Sequence, residues 1–242
     1  MKKYKHIFFD LDGTLWDLHK NTHEAIQMLF REFDLNEGYF KDFHKRYLFH
    51  NEQVWALYRE GKIEKEVLRT VRFERAFVDC GIQVNNEFVE DFAMRFIDVC
   101  PKLPHLLEGA IELLELWSKS AQLHIITNGF KEVQGFKLEA GKLNSYFHQI
   151  INSEDAGYRK PNPQIFQFAI NRAGAQKQES LMIGDDWEAD IIGARNFGMD
   201  QVFIRATENM QKKLLGTDVE FRHNYKPTLI IDSLLEIIPL LK

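Results

Sequence analysis

The stretch His6-Ile7-Phe8-Phe9-Asp10-Leu11-Asp12-Gly13-Thr14 governs the reading of the whole chain. A short apolar run that stops at an acidic, glycine-containing turn is the pattern of a strand buried on both faces. The pattern returns along the sequence. Residues 123–126 stop at Thr127-Asn128-Gly129, a weaker Ile150-Ile151 precedes Arg159-Lys160-Pro161-Asn162-Pro163, and residues 181–183 stop at Gly184-Asp185-Asp186. Residues 201–204 and 228–231 read as the last two strands. Helical periods fill the intervals at 107–119, 131–141, 163–173 and 188–197. Strands alternating with helices of this length predict βαβ units and a parallel sheet, hence an α/β class.

The interval 16–105 departs from that pattern and contains no convincing strand. Ala25, Leu29 and Phe33 fall at i, i+4, i+8, with Asn21 or Thr22 as the expected N-cap. Val54, Leu57 and Tyr58 keep helical spacing, as do Val67, Leu68, Val71 and Phe77, up to Gly81 at an expected C′ position. Phe88, Phe92, Phe96 and Val99 continue the period until Pro101 and Pro104 close it. The predicted organisation is an α/β core of residues 1–15 and 106–242, interrupted by an all-helical insertion of residues 16–105 with about four helices.

Composition removes whole classes of function. The 242 residues are 45% hydrophobic and 28% charged, ordinary for a globular chain with a sizeable core. The net charge of −5 and the lack of a Lys/Arg block argue against a nucleic-acid polymer as partner. Cys80 and Cys100 form no CxxC pair, which argues against a disulfide scaffold or a Cys-rich zinc site. No stretch is apolar and long enough to span a membrane. The basic start Met1-Lys2-Lys3 leads into an apolar run too short for a secretory signal, so a cytoplasmic protein without membrane association is expected.

In an open α/β sheet, ligands gather outside the carboxyl ends of the strands. Asp10 stands at such an end, and Asp12, two residues on, can point to the same side. Two close carboxylates need a cation or a shared proton, and an oxygen-rich site suits Mg²⁺. An isolated Asp-x-Asp-Gly is more often a solvated turn. Here the other strand ends carry matching chemistry. Thr127 and Asn128 offer a hydroxyl and N–H groups at a helix start, a seat for phosphate. Lys160 is held by two prolines and can be aimed at an anion, while Asp185, Asp186 and Asp190 add acids at the fourth strand end.

The order Asp-x-Asp-Gly-Thr, Thr-Asn, Lys-Pro, Gly-Asp-Asp-x₃-Asp resembles the haloacid dehalogenase-like hydrolase superfamily, and the resemblance spans essentially the whole chain. Within it, residues 125–130, 138–147 and 160–166 are similar to the noncanonical pyrimidine 5′-nucleotidase branch, as is the segment 51–73 with Trp55, Gly61 and Arg72-Phe73. The resemblance implies a Rossmann-like parallel sheet flanked by helices, with the helical insertion as a type-1 cap that covers the site and reads the leaving group. It implies catalysis by Asp10, Asp12, Thr127 and Lys160. Mg²⁺ would be held by Asp10, Asp12 through its backbone carbonyl, and Asp185, with Asp186 an alternative to Asp185. Thr127, Asn128 and Lys160 would bind phosphate, and Asp190 would orient Lys160. Dehalogenases of this fold lack the second aspartate, so Asp12 favours phosphoryl transfer through an aspartyl-phosphate.

The implied partner is a small phosphorylated metabolite, foremost a (deoxy)pyrimidine nucleoside monophosphate. Trp16, Asn51, Trp55 and Arg72 are the substrate-contact candidates. The cap aromatics Tyr39, Phe40, Tyr47, Phe49, Trp55 and Tyr58 could stack on a base, although aromatics at helical spacing usually form a core. A sugar-phosphate phosphatase, a phosphomutase and a non-enzymatic phospho-acceptor domain are the alternatives. Monomer and dimer are equally compatible with the sequence. His19 and His23, at i, i+4 without a third ligand, read as solvated. The cysteines read as buried small hydrophobes, and residues 234–241 as a packed amphipathic helix.

Overall fold

The first strand, β1 (His6–Phe9), is buried on both sides because its neighbours and covering helices leave it no solvent face. The computed structural model describes residues 4–205 and 225–238. Beside β1 lie β2 (Gln122–Thr127), β3 (Phe147–Asn152), β4 (Ser180–Gly184), β5 (Asp200–Ile204) and β6 (Leu229–Ile231). They form one sheet in the order β3-β2-β1-β4-β5-β6, and every described pairing is parallel. Chain order reverses at β1, which pairs with β2 on one side and β4 on the other. A crevice outside the strand ends therefore belongs there.

Two compact units divide the chain: residues 1–18 with 104–242, and residues 19–103. In the sheet unit, Phe8, Ile126 and Met182 on neighbouring strands pack beneath α8 (Pro163–Ala173) and α9 (Gly193–Phe197). Phe9 faces the other way, with its ring 5.9 Å from that of Trp117 on α5 (Ala110–Trp117). Burial on both faces is what turns these strands into continuous apolar runs. β3 differs because it is an edge strand. Its burial alternates before its last two residues, so His148 and Gln149 dilute the apolar signal.

The helical unit contains α1 (Leu18–Glu32), α2 (Phe40–Arg59), α3 (Lys65–Asp79) and α4 (Asn86–Val99). Its interior is aromatic: Phe30, Phe43, Tyr47, Phe73, Phe77, Phe92 and Phe96 are buried among one another. Gly81 follows the C-cap Cys80 with φ 68°, the left-handed conformation that ends α3. Asn21 and Thr22 do not cap α1. The helix begins at Leu18 and both side chains are buried within it. Cys100 is buried, but Cys80 is only half-buried.

Three other helices depart from the sequence reading. The period at 107–119 narrows to α5, because Gly109 enters the left-handed region (φ 84°) immediately before it. The period at 188–197 begins as a π-helical turn, Trp187–Ile192, before α9. Near the C-terminus, Leu234–Glu236 forms a single 3₁₀ turn closed by a capping box from Ser233 and Glu236. Residues 239–241 of the expected terminal helix lie outside the described residues. No helix among the described residues is long and apolar enough to cross a membrane.

His124 on β2 is fully buried, stacked on Phe8 at 4.7 Å and on His6 at 5.4 Å. Burial, reinforced by His6 and His148, pushes its pKa down to about 3. The folded state thus binds fewer protons than the unfolded chain between pH 3 and the ordinary histidine value of 6.5. Stability is full above that window and falls as pH drops through it. Between pH 7 and pH 4 the urea midpoint of the wild type is expected to lose ground against that of His124→Phe. The comparison with His124→Phe isolates this group, because His44, pushed down to about 4, acts with the same sign in both proteins and Asp10, raised to about 7, acts with the opposite sign in both.

Candidate active site

The loop after β1 is wound around one acceptor. The Leu11 carbonyl receives the N–H groups of Leu15 and Trp16 at 3.0 and 2.9 Å, and Gly13 N–H donates to the Trp16 carbonyl at 2.9 Å. Gly13 adopts φ 77°, which a side chain would resist. Asp10 N–H still reaches the Ile183 carbonyl of β4 at 2.9 Å, so Asp10 is the last residue the sheet holds and stands in the crevice.

Lys160 organises what surrounds Asp10. Its side chain is only 2% exposed, and Nζ donates to Asp10 Oδ1 at 2.5 Å, Asp190 Oδ1 at 2.6 Å and the Ile126 carbonyl at 2.8 Å. These partners match the three donors of an ammonium group. Its backbone is fixed as well: Lys160 N–H donates to Asn128 Oδ1 at 2.8 Å, and Asn128 Nδ2 donates to the Lys160 carbonyl at 2.9 Å. The Lys160–Pro161 bond is cis. Burial acts to lower the Lys160 pKa, but Asp10 and Asp190 together carry it above its usual value. Burial pushes Asp10 up to about 7 against the pull of Lys160, and Asp190 is likewise raised chiefly by burial.

The π-helical turn explains how Asp190 arrives there. The Asp186 carboxylate caps it by accepting from Ala189 N–H at 2.9 Å, and the Asp186 carbonyl accepts from Asp190 and Ile191 at 2.9 and 3.4 Å. The widened turn aims Asp190, which is fully buried, back at Lys160 and at Asp186 N–H, 3.2 Å from its Oδ2. Wide turns of this kind concentrate at functional sites.

Asp185 accepts from the Thr14 hydroxyl at 2.9 Å. Asp10, Asp185 and Asp190 each offer an oxygen within 4.8 Å of the other two, the one such group among the described residues. Lys160 is bonded to two of these three carboxylates, and the oxygen-only donor set suits a hard divalent cation. Both oxygens of Asp190 are already engaged, one by Lys160 Nζ and the other by Asp186 N–H.

Asp12 lies apart from that group. Its two oxygens accept from Nζ of Lys137 on α6 (Lys131–Ala140) at 2.6 and 2.8 Å. At the end of β2, the Thr127 hydroxyl accepts from Gly129 N–H at 3.0 Å. Asn152 Nδ2 donates to the Gly129 carbonyl at 2.5 Å and so bolts the loop to β3. The Asn128 side chain is spent on Lys160, leaving backbone N–H as that residue's means of meeting an anion.

The substrate candidates are placed differently. Trp16 is fully buried, and Lys137 Nζ stands 4.7 Å from its ring centroid. Asn51 and Arg72 bond each other in the helical unit at 2.8 Å, with the Arg72 guanidinium among the rings of Tyr47, Phe73 and Phe96. Trp55 is half-buried, 5.6 Å from buried Tyr58. Tyr39 and Phe49 are exposed.

The sequence reading assigned no role to Lys137, Asn152 or Thr14, the last of which it quoted only as the end of the first motif. A signal existed for Lys137, a lysine on the buried stripe Val133, Gln134, Lys137, Leu138 of its helix. A cation at a core-facing position asks for a buried partner.

With this geometry in place, known proteins supply a frame. A family model for haloacid dehalogenase-like hydrolases matches residues 4–198. The chain belongs to that family. It is 32% identical to the pyrimidine 5′-nucleotidase YjjG of Escherichia coli, over 99% of this chain and 98% of that protein. It is also 32% identical to the pyrimidine 5′-nucleotidase PynA of Streptococcus pneumoniae, over 83% of each. The magnesium-bound crystal structure of the putative HAD-hydrolase YfnB from Bacillus subtilis matches with a TM-score of 0.83 at 25% identity, covering 99% of both chains. The chain is thus an HAD-like phosphatase, with the Rossmann-like sheet of its family.

Gly184 gives a direct test of the cluster. A Cβ there would lie 2.1 Å from Asp190 Oδ2 and 2.3 Å from its Cγ. Gly184→Ala must therefore displace Asp190 from Lys160. It is expected to cost roughly 3 kcal/mol in urea unfolding at pH 7 and to lower activity by more than an order of magnitude.

Proposed function

We propose that this chain is a Mg²⁺-dependent phosphomonoesterase that works through an aspartyl-phosphate on Asp10, with (deoxy)pyrimidine nucleoside 5′-monophosphates as its substrates. The observation that carries the chemistry is the separation of the two loop carboxylates. Asp10 faces Lys160 and lies near Asp185, while Asp12 is held on its own by Lys137. That separation supports giving the attack to one carboxylate and the proton transfer to the other. The identity to two pyrimidine 5′-nucleotidases supports the substrate class.

An Asp10 oxygen attacks phosphorus in line. The bond to the ester oxygen breaks, its electron pair stays on that oxygen, and Asp12 supplies the proton that makes it an alcohol. Asp12, now ionised, takes a proton from water as that water attacks the phosphorus. The bond to Asp10 breaks, and inorganic phosphate leaves with both carboxylates restored. Lys160, the Thr127 hydroxyl and the N–H groups of Asn128 and Gly129 stabilise the charge on the transferring oxygens. Asp190 and the Asn128 side chain keep Lys160 in position. Asp10, Asp185 and the Asp12 carbonyl would hold the cation, which when bound offsets repulsion between a carboxylate and a phosphate dianion.

Phosphate release from UMP, dUMP, dTMP, purine nucleotides and sugar phosphates, with Mg²⁺ or with chelator, tests this reading. Metal-dependent release strongest on the pyrimidine nucleotides is expected, with Asp10→Asn reducing it below detection. Preference for a sugar phosphate would overturn the substrate class, and substantial turnover by Asp10→Asn would overturn the covalent mechanism.

A further inference from the structure

Lys137 stands outside the acid cluster and is given no role by the reaction above, yet it is 7% exposed and gives its ammonium to both oxygens of Asp12. Two bonds from one nitrogen fix the plane of a carboxylate, where a single bond would let it rotate. The absence of a side chain on Gly129 leaves room for this carboxylate, since a Cβ there would lie 3.2 Å from Asp12 Oδ2. Lys137 is itself held by α6 and by the Trp16 ring beneath its ammonium, at 4.7 Å to the centroid. Trp16 is pinned in turn by its backbone bond to Leu11 and by its bridge to Leu106. The result is a rigid stack of buried aromatic ring, ammonium and carboxylate, built from segments more than a hundred residues apart.

We propose that Lys137 is the positioning residue for Asp12, setting the carboxyl oxygen that protonates the ester oxygen, with Trp16 as the platform that sets Lys137. The proposal rests on the phosphomonoesterase reading. Its chemical content is specific. A proton donor must be within hydrogen-bond reach of the departing oxygen, so loss of Lys137 damages departure of groups that need a proton and spares those that do not. This also gives Trp16 a task other than contact with substrate.

The test compares Mg²⁺-loaded wild type and Lys137→Met on a nucleoside monophosphate, whose leaving alkoxide needs a proton, and on p-nitrophenyl phosphate, which leaves as a stable phenolate. The quantity is kcat/KM, which covers steps up to departure of the leaving group. Lys137→Met is expected to lose on the order of 10²-fold on the nucleotide and far less on the aryl ester. Lys137→Arg, which can still grip both oxygens, is expected to recover most of the nucleotide rate. Asp12→Asn combined with Lys137→Met should be no slower on the nucleotide than Asp12→Asn alone, as for residues acting as one unit.

Thermal melts establish that each variant is folded. If Lys137→Met is not, Lys137→Gln, which is too short to reach Asp12 in the same way, takes its place in the comparison. Equal losses on both esters in a folded variant would overturn the role of Lys137 while leaving the phosphomonoesterase reading intact. A wild type inert towards both esters would overturn that reading and this inference with it.

Discussion

The ammonium of Lys160, buried between Asp10 and Asp190, is the constraint on which the site depends. A buried charge with its partner removed costs about 3–5 kcal/mol, whereas apolar residues of similar volume in place of a whole buried ion group are often neutral or better. The cluster is therefore a poor device for stability alone. Its effect is to tie four strand ends together. Asp10 follows β1, the Ile126 carbonyl belongs to β2, Lys160 lies between β3 and α8, and Asp190 follows β4. Three of them contribute acceptors to the one donor nitrogen that the fourth carries, and none could shift without breaking a bond to it.

The sheet order makes that meeting possible. β1 has β2 and β4 as neighbours, so the chain leaves it in opposite directions and opens a crevice above its end. Phe9 pairs with Ile125 and Ile183, which brings the next residues of all three strands to the same level. Small residues then permit close approach. Gly184 leaves the volume that the Asp190 carboxylate fills, and Gly13 allows the turn that carries the chain from Asp10 through Asp12 to Thr14. Thr14, at the far side of that turn, returns to hold Asp185.

What the sequence discloses follows from which interactions are local. The strands are legible because both sheet faces are covered, and the site acids are legible because they directly follow those strands. Lys160 announces itself through the two prolines after it. Lys137 does not, because its partner lies 125 residues away and only packing brings them together. The π-helical turn at Trp187–Ile192 is hidden for a related reason. Its spacing reads as ordinary helix, and the widening accompanies the descent of Asp190 onto Lys160. Asn128 reads as a ligand for phosphate, yet its side chain is used on the Lys160 backbone. Trp16 looks available from its place beside the motif, whereas the turn around the Leu11 carbonyl folds it inward.

Two aspartates two residues apart, pointing into one crevice, would by themselves repel and tend to share a proton. The fold gives each its own lysine from a different direction, Lys160 for Asp10 and Lys137 for Asp12. The lysines are not equivalent. Lys160 is shared with Asp190 and the Ile126 carbonyl, so it is anchored independently of Asp10 and would keep its place if Asp10 were phosphorylated. Lys137 donates through both of its described hydrogen bonds to Asp12, with an aromatic face beneath it. A nucleophile must give up its charge to a new bond and later recover it, which calls for a neighbour that does not depend on that charge. A proton carrier must keep its place through both steps, which calls for a neighbour committed to it. The difference in how the lysines are held matches the difference in what the two carboxylates would have to do.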